Sequence, residues 1–217
     1  RLPREQVPLF VSQHWPVLAA VAEISADFGP EDFEILTAAP RFTLKLCGGL
    51  ARLTAALSCR YGNQVVDLGP RAASASPCFP DPTEPRRFHV RDIAAEQAAQ
   101  GCLLRAGFAA RPAPANELEV TGQDAVLAFF ARLYPRLCAE WDVTLEERLE
   151  RSLSTNMERI EPRFQIREAG AAWFDLEVGY AGASGEPLAA ADLHRLLRMG
   201  QSHTRLKNGK LGLIDAE

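Results

Sequence analysis

From Arg163 to Tyr180 the chain keeps a period of two. Phe164 and Ile166 alternate with Arg163, Gln165 and Arg167, and Phe174, Leu176, Val178 and Tyr180 alternate with Asp175, Glu177 and Gly179. Successive side chains on a strand point to opposite faces, so this pattern suits a sheet and no helix. Ala169-Gly170-Ala171 lies between the two runs and can turn the chain, which predicts a hairpin. Its polar face would set arginines on one strand against carboxylates on the other, pairs worth about 0.2–1 kcal/mol each.

A second hairpin is signalled by Asn208-Gly209, between residues 204–207 and 210–214. A two-residue type I′ turn needs φ > 0 at both central positions, and Asn and Gly tolerate that best. The expected register sets Lys207 against Lys210, Leu206 against Leu211 and Thr204 against Leu213. Arg205, Lys207 and Lys210 then share one face. Like charges directly opposite each other are unfavourable, so this tip is either fully solvated or meets an anionic partner. Residues 192–200 read as a short amphipathic helix: Leu193, Leu196 and Leu197 fall on one side, Arg195 and Arg198 lie in the last turn, and Gly200 can end it. The resulting order is strand, strand, helix, strand, strand.

Upstream, Phe10, Val11, Trp15, Val17, Leu18 and Val21 have roughly helical spacing interrupted by Pro16, and a short helix is expected from near Pro16. Residues 32–68 return to period two and predict an antiparallel meander, with turns at Gly48-Gly49 and Gly62-Asn63. Arg52 and Arg60 lie on its polar face, as an alternating sheet requires. Prolines 70, 77, 80, 82 and 85 make residues 70–86 a long exposed loop that should hold neither sheet nor helix. A strand at 87–90 leads to Asp92, which can cap a helix ending at Gly107. Arg111-Pro112-Ala113-Pro114 suggests a subdomain break near 111–116, and Glu117 to Val120 suits a strand. Thr121-Gly122-Gln123-Asp124 fits a capping box ahead of a helix carrying Val126, Leu127, Phe129, Phe130, Leu133 and Leu137, with Pro135 expected to kink it or end its regular part. Residues 143–160 suit a helix or an irregular connection.

The 217 residues, 47% hydrophobic and 24% charged, are those of a globular chain, and a net charge of −4 argues against non-specific nucleic-acid binding by the chain as a whole. No apolar run approaches the roughly 20 residues needed to cross a bilayer, so no membrane partner is expected. Five scattered cysteines with no C-x-x-C pair point to a reducing cytoplasm and to small core residues. Beginning on Arg1, the chain is expected to be one module of a longer protein. There is no G-x-x-x-x-G-K-[ST] loop, no H-E-x-x-H and no G-x-S-x-G elbow, which points away from ATP hydrolysis, a zinc site and enzymatic activity in this piece.

Several stretches together resemble the bacterial helicase-associated region of Swi/Snf-type proteins. They are Pro40-Arg41-Phe42-Thr43-Leu44-Lys45-Leu46, Leu50 to Gly62, Arg91-Asp92 with Glu96, Trp173-Phe174-Asp175-Leu176-Glu177-Val178, and Arg205-Leu206-Lys207-Asn208-Gly209-Lys210. The resemblance implies a non-catalytic accessory module on the N-terminal side of a two-lobed, DNA-dependent ATPase motor. ATP and Mg would belong to that parent motor, and the fragment itself would hold no cofactor. The expected fold is α+β, with antiparallel sheets built from hairpins and several helices packed on one face. The expected partners are the motor lobes of the same polypeptide and DNA, with Arg205, Lys207, Lys210, Arg195 and Arg198 as the contact surface. The alternative is a protein-interaction module that has no nucleic-acid role and docks through an apolar patch.

Overall fold

A computed structural model of the chain describes residues 2–37, 39–69, 76–81, 83–111, 117–168, 174–185 and 187–214. The fold is α+β, and its strands form three sheets. The chain makes two compact units interleaved in sequence. The first holds residues 1–43, 56–104 and 110–117, and the second residues 44–55, 105–109 and 118–217. The break expected near 111–116 falls largely on residues outside the described ones. So do the turn at 169–171 and Trp173.

In the first unit, the Arg52–Tyr61 strand turns at Gly62, φ +58°, into Gln64–Asp67, pairing Ser58 with Asp67 and Tyr61 with Gln64. This is the expected hairpin. A second sheet was not foreseen: Glu34–Thr37 lies outside the meander and pairs parallel with Arg87–Val90, which pairs antiparallel with Cys78–Pro80. The loop expected at 70–86 therefore holds a strand in its described part, at an edge, where Pro80 needs to donate no ladder bond. Asp92 caps the Ile93–Arg105 helix as expected, its Oδ1 accepting from Ala95 N at 2.9 Å.

That helix delivers Glu96 into the unit's interior. Tyr61 Oη donates to Glu96 Oε1 at 2.7 Å, and Arg91 donates to both carboxylate oxygens, Nε at 2.9 Å and Nη2 at 2.6 Å. Burial disfavours ionisation of Glu96, but the bonds from Arg91 and Tyr61 more than offset it and hold the carboxyl below its usual range. Burial, reinforced by Glu96, pushes the Cys59 thiol up to about 12, so Cys59 serves as a small core residue.

Pro16 and Pro135 each lie in the first turn of an α-helical segment, Trp15–Val21 and Tyr134–Glu140, but helical structure also precedes them. Residues 7–21 are helical through Val7–Leu9, Phe10–His14 and Trp15–Val21, so this helix begins nine residues before the expected start. Residues 123–140 are continuous in the same manner. In each, a wide turn precedes the proline: Trp15 N–H bonds Phe10 O and Tyr134 N–H bonds Phe129 O, five residues back. Such a turn loosens the local ladder where a proline ring would meet the carbonyl four residues before it and supplies no donor.

In the second unit, strand segments run in the order 118–121, 52–55, 44–49, 142–145. The turn between the middle two is at Leu50-Ala51 and not at Gly48-Gly49. Gly48 sits inside its strand at φ +113°, and a Cβ there would come within 2.6 Å of Arg52 O. The capping box does not form. Gly122, φ +98°, occupies the N-cap without a side-chain bond and donates its own N–H to Ala51 O at 2.9 Å. Residues 143–160 resolve into the end of a strand, the helix Glu147–Asn156, and a further strand.

Replacing Arg91 by Met leaves the buried Glu96 without its counter-ion and should lower stability by about 3–5 kcal/mol, read from the midpoint of urea unfolding. Adding Glu96→Leu removes the uncompensated charge and should recover most of that loss.

Candidate interaction surface

The remaining sheet of the second unit has five strands in the order Pro187–Leu188, Phe174–Ala181, Met157–Glu168, Leu211–Ile214, His203–Arg205. It is mixed and not purely antiparallel, because Met157–Ile160 runs parallel to Leu211–Ile214. The long hairpin expected from the alternation is present, with Phe164 opposite Val178, Ile166 opposite Leu176 and Arg167 opposite Asp175. Its outer partners are short. Leu211–Ile214 reaches only Ile160, and Pro187–Leu188 reaches only Tyr180 and Ala181. Beyond them, residues 161–168 and 174–179 pair with each other alone among the described residues, forming a two-stranded arm.

One face of the arm carries Phe164, Ile166, Phe174 and Leu176, which are 64%, 69%, 71% and 61% exposed, with Val178 at 39%. The other face carries Gln165 opposite Glu177 and Arg167 opposite Asp175, and Arg167 Nη2 lies 3.8 Å from Glu177 Oε2 on the diagonal. The charges therefore sit where the sequence pattern puts them. The apolar face has no cover within the described residues of this unit.

At the root of the arm Ile160, Leu193, Leu196, Leu206 and Ile214 form a buried cluster, with Tyr180, Leu188 and Leu197 against it. The helix Ala190–Arg198 supplies the leucines at the predicted spacing, and Gly200 follows at φ +70°. Beside the cluster Glu158 is buried with a full set of partners. Lys210 Nζ is 2.7 Å from its Oε1, and Ser184 donates to Oε2 from N at 3.1 Å and from Oγ at 2.7 Å. Asn208 Nδ2 approaches Oε1 at 3.4 Å and donates to Ser184 Oγ at 3.1 Å. Lys210 above all, then Ser184, pull the Glu158 pKa down to about 2.

This cluster corrects the register of the second hairpin. The observed pairs are His203 with Leu213, Thr204 with Gly212 and Arg205 with Leu211, one residue away from the expected set. Leu206 N donates to Lys210 O and Gly209 N to Leu206 O, so the loop has three residues, and Gly209 alone takes positive φ. Asn208 stays at negative φ because its side chain is bound on both sides: Oδ1 accepts from Lys210 N at 2.9 Å while Nδ2 reaches Ser184 and Glu158. A slip of one residue exchanges the two faces of a strand. Leu206 is buried, and Lys210 turns to Glu158 and leaves the basic tip.

Of the five residues read as a contact surface, Arg205, Lys207, Arg195 and Arg198 are exposed. Arg195 lies 3.6 Å from Asp192 on its own helix. Lys210 is half-buried in its ion pair. Alternation gave the identity of the apolar stripe on the arm, but a strand's own sequence does not say whether anything covers its apolar face. Among the described residues no group of three or more His, Cys, Asp or Glu could hold a metal, and no helix is long and apolar enough to cross a membrane.

The family described as bacterial SNF2 helicase associated matches residues 1–216, and the chain belongs to that family. It is thus an accessory to a SNF2 helicase and not the motor itself. No curated protein and no solved structure matches the chain.

Glu158 titrates near 4.5 when unfolded and near 2 when folded. Its contribution to stability is therefore complete above pH 4.5 and is lost as pH falls toward 2. Urea midpoints measured from pH 6 to pH 2 should fall less steeply in Glu158→Gln than in the wild type, and the variant should be less stable at pH 6.

Proposed function

We propose that this module docks on the SNF2-type motor of its own polypeptide through the apolar face of the arm and thereby modulates the motor. The observation that carries the reading is the exposed stripe Phe164, Ile166, Phe174, Leu176 and Val178. At these exposures five such side chains present about 500 Å² of apolar surface, the upper end of what an isolated monomer carries without a function. Leaving that area in water costs about 25 cal/mol per Å², so covering it is worth on the order of 10 kcal/mol before the costs of association.

The area also bears on the kind of partner. A stable complex between free proteins buries about 800 Å² on each side, more than the stripe provides. A tethered partner needs less, because a linker raises its effective concentration to the millimolar range. That favours the motor lobes on the same chain over a second copy. ATP and Mg belong to the motor in this reading, and the module works by the surface it covers.

The DNA reading rests on Arg205, Lys207, Arg195 and Arg198. Lys210 contributes little to it, since its ammonium is already matched by Glu158. The two readings part in one experiment. In a polypeptide joining the module to its motor, Phe164→Ser with Leu176→Ser should change DNA-stimulated ATP hydrolysis at least about threefold while leaving the circular dichroism intact. In the same polypeptide Arg205→Ala with Lys207→Ala should leave both that rate and duplex affinity unchanged. An altered duplex affinity, with the salt slope reduced by about 0.9 per lost phosphate contact, would instead place the basic tip on DNA.

A further inference from the structure

Resting on the docking reading, we infer that the open edge of the Phe174–Gly179 strand accepts an extended segment of the motor as an added strand, one that alternates apolar with basic residues. The segment of this chain that could have covered the edge turns away. Pro187 and Leu188 pair with Ala181 and Tyr180, and after Ala189 the chain enters the helix Ala190–Arg198. The track along residues 174–179 is left vacant among the described residues. A cleft of about 590 Å³ opens where Leu188 leaves it, lined by Gly179, Tyr180, Gly185, Leu188 and Phe164 among others. Gly179 contributes no side chain to obstruct the approach.

Solvent-facing strands are usually defended by lysine, proline or an inward charge. The neighbouring strand of the arm has such features in Pro162, Arg163 and Arg167. The segment from Phe174 to Gly179 has neither lysine nor proline, and its alternate residues turn their backbone N–H and C=O away from the paired strand, toward the open edge. Peptides that add to a sheet edge gain affinity from those main-chain bonds and specificity from alternate side chains.

The side chains on this edge state what the alternate positions should be. Residues beside Phe174, Leu176 and Val178 would extend the apolar face and cover part of it. Those beside Asp175 and Glu177 would meet two carboxylates, which attract basic residues and repel acidic ones. Glu177 is 68% exposed and its contact with Arg167 is loose at 3.8 Å, so it remains available to a second cation. A second copy of this chain fits poorly: a two-fold antiparallel pairing centred on Leu176 would set Asp175 against Glu177 of the other copy.

The test uses the whole chain and two seven-residue peptides, one alternating Val with Lys and one alternating Val with Glu. The Val-Lys peptide should slow amide exchange within residues 174–179 about tenfold, and the Val-Glu peptide should not. Glu177→Lys should weaken that preference, and Asp175→Lys with Glu177→Lys should reverse it. Protection by neither peptide overturns strand addition, and equal protection by both overturns the inferred preference for basic residues. If Phe164→Ser weakens motor docking while neither peptide protects the edge, docking stands and strand addition alone falls. If Phe164→Ser leaves docking unchanged, the docking reading fails and this inference with it.

Discussion

The second unit depends on a single buried carboxylate. Glu158 lies on the strand that is both the centre of the five-stranded sheet and one half of the arm, and its oxygens gather Lys210 and Asn208 from one loop and Ser184 from another. A buried charge is tolerated only when its hydrogen bonds are complete, and this one is fully occupied. The same contacts fix the loop at 207–209, and the loop fixes how Leu211–Ile214 lies beside Met157–Ile160. From there the Met157–Glu168 strand leaves the sheet as the arm. An arm of two strands is only marginally stable alone, so its geometry is set at this root.

Each unit uses the same device with different chemistry. In the first, Glu96 is held by the Arg91 guanidinium, whose fork matches both carboxylate oxygens, and by the Tyr61 hydroxyl. In the second, Glu158 is held by the Lys210 ammonium, a backbone N–H and a hydroxyl. The planar pair suits a site enclosed by a helix and a strand. The point charge suits a junction of loops, where one ammonium and small donors reach from several directions. In both places the carboxylate is a structural tie between elements.

Local patterns were legible where a segment's own side chains decide its conformation. The alternation of Phe164, Ile166, Leu176 and Val178 announced the two strands of the long hairpin, the spacing of Leu193, Leu196 and Leu197 the short helix, and Asp92 a helix start. Pairings between distant segments were not legible. Glu34–Thr37 beside Arg87–Val90, and Met157–Ile160 beside Leu211–Ile214, are parallel contacts that no turn residue announces. Asn208-Gly209 misled because the conformation of Asn208 is decided by Ser184 and Glu158, more than twenty residues away in the chain. For the same reason the sequence counted Lys210 with Arg205 and Lys207 on one face of the tip, where the structure turns it to Glu158. The prolines marked where the regular helix is interrupted but not how: at Pro16 and Pro135 a local widening of the helix absorbs the lost bond, and helical structure continues on both sides.

Membership of the SNF2 helicase associated family makes the chain an accessory, and the arm supplies a surface through which an accessory can act. The apolar stripe and the basic tip belong to the same unit, so they make separable claims on a partner. The most direct test of docking compares two exposed aliphatic sites in the full-length polypeptide after Cys138→Ser: Ile166→Cys on the arm, 69% exposed, and Val65→Cys, 59% exposed. If the arm is seated on the motor, maleimide should label Ile166→Cys at least about tenfold more slowly than Val65→Cys, and deleting the motor should abolish the difference. Equal labelling of the two sites in the intact polypeptide would contradict the account.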